Sequence, residues 1–200
     1  IDSCAKVGRA SREVCQGEVL QTQKRFDISL SIDEYFRIIS MKTGALFAAS
    51  AGISASLSGA DAATEQNIYD YGLKLGTAFQ IYDDCLDLVG SEDTVGKTLR
   101  TDLEKGKLTL PLLKLLGTAT PATKKQLTAD IKAERPLDFE SLVGNSAYKA
   151  AVQDSLDTAS AMLDEGRERL SGLPQNKYTE GLIEITQYLE GLIRQCHKSC

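Results

Sequence analysis

The sequence predicts an all-α protein that forms one domain. Apolar residues recur with helical spacing through most of its 200 residues, only four prolines interrupt them, and the strict alternation that marks strands is scarce. Apolar residues make up 42% of the composition, and the length is sufficient for a hydrophobic core. No repeat or linker divides the chain, so residues 1–200 are expected to fold as a single helical domain.

Capping signals place the helices of the first half. The first helix is expected over residues 3–25. Ser31 and Glu34 form a capping box, which opens a helix that runs to about residue 59. Asp61 is a suitable N-cap for the next helix, which ends at Val89.

The second half is predicted to contain shorter helices and then two long ones. A charged loop covers residues 90–107, and Pro111 and Pro121 each lie near the first turn of a new helix. Further helices are expected over residues 138–143, from residue 145 or 146 to 170, and over residues 176–195.

Three aspartates lie near the end of the helix that finishes at Val89, namely Asp83, Asp84 and Asp87. At roughly 100° per residue, these aspartates and Gln80 share one face of the helix. Seven apolar residues fall on the other side and are predicted to face the core: Ile68, Tyr71, Leu75, Phe79, Tyr82, Leu86 and Val89. The carboxylates are therefore expected to form one patch on a rigid helix.

This acidic patch is unfavourable for a bare helix, which indicates that a cation binds there. Aspartate is a poor helix former, and Asp83 and Asp87 repel each other at a spacing of four residues. The patch also lies at the negative end of the helix dipole. Carboxylate and amide oxygens are ligands that Mg²⁺ prefers, usually together with substrate phosphate. A solvated surface patch is the alternative interpretation.

Composition narrows the classes of function. A net charge of −5 without a long basic run argues against nucleic acid as a partner. The five cysteines lack zinc-type pairing, so they are expected to be reduced thiols in a cytoplasmic protein. The longest uncharged run, residues 43–60, is too short and too polar for stable membrane insertion. His197 is the single histidine and lies near the chain end, which excludes Ser-His-Asp and Cys-His catalysis.

Gly96-Lys97-Thr98 is similar to the end of a P-loop, but its context is wrong. Five residues separate Gly90 from Gly96, whereas a P-loop has four, and a helix rather than a strand precedes the segment. An NTPase is therefore excluded.

Several segments resemble the trans-isoprenyl (polyprenyl) diphosphate synthases. The region around that family's second aspartate-rich motif resembles residues 79–87 (Phe-Gln-Ile-Tyr-Asp-Asp-Cys-Leu-Asp), Gly96-Lys97, Asp102 and residues 106–111 (Gly-Lys-Leu-Thr-Leu-Pro). Two further family blocks resemble residues 17–21 (Gly-Glu-Val-Leu-Gln) and Lys42-Thr43, which Leu46-Phe47 follows. The resemblance covers most of residues 10–115.

The resemblance implies a fold and an activity. The fold would be an isoprenoid-synthase-type helical bundle around a central cavity, usually a homodimer, here without its N-terminal helices. The activity would be a prenyl transfer that joins isopentenyl diphosphate to an allylic diphosphate with Mg²⁺ as cofactor.

The resemblance also implies roles for individual residues. Asp83, Asp84 and Asp87 would hold metal that bridges the allylic diphosphate. Contacts to that diphosphate would come from Lys42, Thr43, Gln80, Lys97 and Lys107. Lys42 and Lys97 would be catalytic, because lysine charge stabilises the leaving diphosphate as its carbon–oxygen bond ionises.

Two departures from the family pattern affect these expectations. Thr98 and Arg100 replace a proline and a glycine of the family's loop. The first aspartate-rich motif would lie before Ile1, so we expect a C-terminal portion of a synthase that is inactive by itself. A non-catalytic helical subunit of a heteromeric synthase and a terpene cyclase of the same fold are the alternative functions.

Overall fold

The computed structural model describes residues 2–89, 102, 105–133 and 144–199, and every regular element in these ranges is a helix. In chain order the elements are α1 (Asp2–Gln23), α2 (Ile32–Ile39), a π-helical turn (Ser40–Gly44), α3 (Ala45–Leu57), α4 (Ala62–Val89), α5 (Leu110–Thr118), α6 (Pro121–Lys132), α7 (Asn145–Leu170) and α8 (Lys177–Ser199). The all-α prediction is confirmed. The helix predicted over residues 138–143 lies outside the described residues.

The helix starts follow the predicted capping chemistry. Ser31 accepts the backbone N–H of Glu34, and the Glu34 carboxylate accepts the backbone N–H of Ser31, so the capping box is complete. Asp61 accepts the N–H of Thr64 at 2.8 Å before α4. Pro111 and Pro121 lie in the first turns of α5 and α6, where the missing N–H of proline costs nothing.

Helix α4 is the centre of the bundle and packs most extensively against α3 and α7. Close approach to α3 depends on two glycines. A methyl group at Gly72 would lie 2.6 Å from the carbonyl oxygen of Phe47, and one at Gly76 would lie 2.8 Å from the Phe47 ring. Fully buried side chains from several helices fill the core, among them Ile39, Ile81, Leu112, Leu156, Leu163 and Ile193.

The predicted core stripe of α4 is wrong in part. Tyr71 and Leu75 are buried, but Phe79 is 41% exposed and packs beside Phe47 at the surface, with 6.1 Å between ring centroids. Core contacts instead come from Ala78, Ile81 and Cys85, and the side with Gln80, Asp84 and Asp87 is buried as well. The reason is that neighbouring elements cover α4 on more than one side, so its polar face is not a solvent face.

One continuous helical segment, Ile32–Leu57, has the length and mean hydropathy of a membrane span. Within its most apolar window, 44% of the residues are buried inside the protein, as in a core helix of a helical bundle. Length and composition do not distinguish a membrane span from a core helix.

Candidate functional site

A buried carboxylate, Asp84, is the centre of the polar network on α4. Its side chain is 0% exposed, and donors from three parts of the chain reach its two oxygens. Oδ2 accepts the Tyr35 hydroxyl at 2.8 Å, and Oδ1 accepts the Gln80 amide at 2.9 Å and the Lys107 ammonium at 2.7 Å. These bonds replace the water that a buried charge has lost.

Lys107 joins two acids. Its ammonium also donates to Oδ2 of Asp102 at 2.7 Å, and its side chain is only 11% exposed. Burial alone would lower the pKa of Lys107, but the carboxylates of Asp84 and Asp102 outweigh it and raise that pKa above the ordinary 10.5. Burial, and then the charge of Asp84, raise the pKa of Tyr35. The cation that the acidic helix required is therefore, for Asp84, a lysine of the same chain.

The backbone around Gly106 fixes Lys107 in place. Gly106 has a φ of +72°, a conformation that glycine adopts without strain. Its carbonyl oxygen accepts the backbone N–H of Phe26 at 2.8 Å, and a methyl group at Gly106 would lie 2.4 Å from the Phe26 ring. A glycine is thus needed for this segment to lie against the chain that follows α1.

Gln80 connects this network to Thr43. The Thr43 hydroxyl donates to Oε1 of Gln80 at 2.7 Å, while the Gln80 amide donates to Asp84. Thr43 and Gln80, to which the family resemblance assigns diphosphate binding, are therefore in direct contact with each other and, through Gln80, with an aspartate.

Lys42 and Thr43 both lie in the π-helical turn, a local widening of the helix that is frequent at functional sites. Helix α1 packs closely against this turn at Gly17. A methyl group at that position would lie 2.6 Å from the backbone nitrogen of Lys42, so this close approach requires glycine. The Lys42 ammonium donates to Oε1 of Gln21 at 2.9 Å and lies 3.8 Å from a Glu18 carboxylate oxygen. The Gly-Glu-Val-Leu-Gln block therefore positions Lys42.

A polar pocket of about 220 Å³ lies between α1, the π-helical turn and the segment around Lys107. Its lining residues are Glu18, Gln21, Arg25, Lys42, Asp102, Lys105 and Lys107. Four cationic and two anionic side chains give this lining a net charge of +2. Such a lining favours an anionic ligand.

The other two aspartates differ from Asp84. Asp87 is 3% exposed, and its Oδ2 accepts the backbone N–H of Asp102 at 3.3 Å. Asp83 is partly buried, on the side of α4 near Phe79. Within the described part of the chain, no three Asp, Glu, His or Cys side chains are arranged to hold a metal ion. The role of the three aspartates as metal ligands stays a prediction.

The residues present fit Mg²⁺ when the ion takes few protein ligands. Mg²⁺ commonly binds one or two carboxylates, keeps several waters and completes its shell with substrate phosphate. Asp83, which is partly exposed, suits that mode, and Asp87 lies one helical turn further along the same helix. Asp84 does not suit that mode, because three donors already occupy its oxygens.

The structure brings together Thr43, Gln80, Asp84 and Lys107, and it places Lys42 and Lys107 on one pocket. Lys97 lies outside the described residues. Sequence reasoning missed Tyr35 and gave no role to Arg25. No local signal could have found Tyr35, because it lies 49 residues before its partner Asp84.

These observations define a class of protein: a helical bundle of the isoprenyl synthase type, with an acid-rich central helix beside a cationic pocket. The chain belongs to the polyprenyl synthetase family, whose model matches residues 2–148. The match extends the resemblance seen over residues 10–115, and it confirms the family that those motifs indicated.

Relatives and solved structures support the same family. The chain is 37% identical over 180 residues to the octaprenyl diphosphate synthase of Escherichia coli, and this alignment covers 90% of this chain and 56% of the relative. It is 30% identical over 177 residues to heptaprenyl diphosphate synthase component 2 of Bacillus subtilis, covering 88% of this chain and 50% of the relative. The chain thus spans about half the length of these relatives.

Among solved structures, a decaprenyl diphosphate synthase from Rhodobacter capsulatus superimposes with a TM-score of 0.87 at 28% identity, over 96% of this chain and 60% of that one. A polyprenyl synthase from Caulobacter crescentus, solved with calcium and isoprenyl diphosphate, gives a TM-score of 0.86 at 33% identity, over 95% of this chain and 58% of that one. The isoprenoid-synthase-type fold is therefore confirmed.

Proposed function

We propose that this chain is the part of a trans-polyprenyl diphosphate synthase that binds the diphosphate of the allylic substrate. The whole protein would condense isopentenyl diphosphate with an allylic diphosphate to give a longer polyprenyl diphosphate. The observation that carries this proposal is the cationic pocket, which Lys42 and Lys107 line beside the acidic end of α4.

Lys42 is the side chain best placed to meet the diphosphate. Its side chain is 19% exposed and lines the pocket, and among the described residues its hydrogen-bond partner is the neutral Gln21. A diphosphate that enters the pocket therefore competes with a neutral amide and a distant carboxylate rather than with a tight ion pair. The charge of Lys42 then stabilises the diphosphate as it leaves the allylic carbon.

Thr43 and Gln80 orient the site rather than neutralise charge. The hydroxyl of Thr43 fixes the Gln80 amide, because it donates to the amide oxygen while the amide nitrogen donates to Asp84. Among the described residues the Gln80 amide uses one of its two hydrogens, so the other can donate to a ligand oxygen.

We propose Mg²⁺ as the cofactor, with Asp83 and Asp87 as its protein ligands. The oxygen donors and the calcium in the related Caulobacter crescentus structure support a hard divalent ion. When bound, the ion would supply positive charge to the leaving diphosphate. Lys97 remains a proposed second catalytic lysine on the basis of the motif.

The exposed aromatic rings next to the acids suit the apolar part of the substrate. Phe47 and Phe79 are 38% and 41% exposed, and Phe79 lies 6.5 Å from the Tyr82 ring. An uncharged, aromatic surface would bury a prenyl chain and keep water from an allylic cation.

Calorimetric titration of inorganic pyrophosphate into the chain tests this proposal. We expect binding that MgCl₂ strengthens, and we expect Lys42→Met to weaken it by about tenfold or more, since a charged hydrogen bond is lost. Lys149→Met is the matched control, because Lys149 is an exposed lysine of α7 that does not line the pocket. Absence of pyrophosphate binding by the wild-type chain, with or without Mg²⁺, would refute the proposal.

A role as one component of a heteromeric synthase is the second candidate. The Bacillus subtilis relative is named as a component 2, and that name favours two kinds of chain in that enzyme. Mixing this chain with a complete homologous synthase separates the two candidates. A changed product length on mixing supports a heteromer, whereas an unchanged product together with self-association of this chain supports a homodimer.

A further inference from the structure

We propose that Asp84 is a positioning residue that holds Gln80 and Lys107 in place, and that it does not bind the metal ion. This inference rests on the proposed function. It divides the three aspartates of α4 into two roles that their sequence spacing does not distinguish.

The first argument is the occupancy of the carboxylate. Each carboxylate oxygen has two lone pairs. Gln80 and Lys107 use both lone pairs of Oδ1, and the Tyr35 hydroxyl uses one of Oδ2. The remaining lone pair belongs to a side chain that is 0% exposed, whereas Mg²⁺ needs room for the waters that it keeps.

The second argument is electrostatic. The Lys107 ammonium lies 2.7 Å from Oδ1 of Asp84. A divalent cation on this carboxylate would stand beside that ammonium and repel it in a poorly solvated environment. Binding of a metal ion to Asp84 would first require Lys107 to leave its two acids.

The third argument is connectivity. Each partner of Asp84 belongs to a different element: Tyr35 to α2, Gln80 to α4, and Lys107 to the segment before α5. Gln80 also accepts a hydrogen bond from Thr43, and Lys107 lines the pocket. Asp84 therefore connects three parts of the bundle beneath the pocket, in the manner of groups that orient ligand-binding side chains from behind.

The test separates metal binding from positioning. Pyrophosphate affinity is measured by calorimetry with and without MgCl₂, and the ratio of the two affinities is the magnesium enhancement. Asp83→Asn should lower this enhancement by about tenfold or more, since it removes a ligand. Asp84→Asn should weaken affinity by about tenfold in both conditions and leave the enhancement within about twofold, as expected for a supporting residue. Loss of the enhancement in Asp84→Asn would overturn the proposal.

A second measurement does not depend on any ligand. Acetylation of lysines by an N-hydroxysuccinimide ester, followed by peptide mass spectrometry, reports how firmly each ammonium is held. Asp84→Asn should raise the labelling of Lys107 about fivefold relative to exposed Lys149, because an amide offers one acceptor oxygen where the carboxylate offers two. Asp83→Asn should leave the labelling of Lys107 unchanged. Equal labelling of Lys107 in the wild type and Asp84→Asn would overturn the proposal.

If Asp84→Asn does not fold, Tyr35→Phe tests whether Asp84 acts as a positioning residue or as a metal ligand. It removes one donor to Asp84 without changing charge, so affinity should fall about threefold in both conditions with the enhancement retained. A lowered enhancement in Tyr35→Phe would overturn the proposal. A wild-type chain that binds no pyrophosphate would refute the proposed function alone, since the labelling of Lys107 tests the positioning role independently.

Discussion

Replacing Lys107 by methionine removes the ammonium that neutralises Asp84 while it keeps a side chain of similar length. The carboxylate of Asp84 is 0% exposed, and the donors that it keeps among the described residues, Tyr35 and Gln80, are neutral. Removing one partner of a buried ion pair strands the other charge in a poorly solvated environment. We therefore expect Lys107→Met to be strongly destabilising.

The expected loss of stability in Lys107→Met follows from the burial of the Asp84–Lys107 ion pair. Breaking a buried salt bridge costs about 3–5 kcal/mol, and two retained donors place the loss near the lower end, at about 3 kcal/mol. For a chain of this length, about 1 kcal/mol lowers Tm by roughly 2–4 °C. The expected decrease in Tm is thus roughly 6–12 °C.

Urea unfolding followed by far-ultraviolet circular dichroism measures this loss as a change in the free energy of unfolding. Lys105→Met is the matched control, because Lys105 is an exposed lysine of the same pocket, and its change should stay within about 0.5 kcal/mol. Adding Asp84→Asn to Lys107→Met should recover part of the loss, since the stranded charge is removed. A change below about 1 kcal/mol in Lys107→Met would refute the reasoning.

Three further predictions concern packing, pH and capping. Gly17→Ala should destabilise the chain by about 2 kcal/mol in urea unfolding, because its methyl group would overlap the backbone of the π-helical turn. Gly8→Ala on the same helix has open space and should stabilise it by about 0.5–1 kcal/mol; equal effects of the two would contradict this packing. The pKa of Lys107 is raised above 10.5 and the pKa of Tyr35 is raised above 10.0 in the folded protein. Both groups therefore contribute their full stability below about pH 10, and this stability is lost as the pH rises through and beyond these values. Thermal unfolding should show a steep alkaline decrease that the double variant Lys107→Met/Tyr35→Phe flattens, and an unflattened decrease would exclude these groups as its cause. Ser31→Ala should cost about 1 kcal/mol through loss of the capping box, and an unchanged urea midpoint would show that the cap contributes nothing.

Local signals in the sequence were sufficient for the helices. The capping box at Ser31, the cap at Asp61 and the prolines at the starts of α5 and α6 act within one turn, so each could be predicted without tertiary information. The family was also accessible, because its motifs are short and contiguous. The π-helical turn was not predicted, since it depends on how α1 and α4 pack around Lys42 and Thr43.

The burial of α4 shows where periodicity fails. The helical wheel correctly separated the acids from Tyr71 and Leu75, but it placed Phe79 in the core, and it could not show that Asp84 and Asp87 on the other face are buried as well. The reason is that a wheel assumes one buried side for a helix, whereas several elements cover α4.

The helices, their caps and the family could be predicted from the sequence, because they depend on residues that are neighbours along the chain. Tertiary structure alone decided which cation meets which acid. Lys107 lies 23 residues after Asp84, and Tyr35 lies 49 residues before it. Such pairs form because folding removes water from the carboxylate and requires a donor to replace it, and only the packing of the helices determines which donor is within reach.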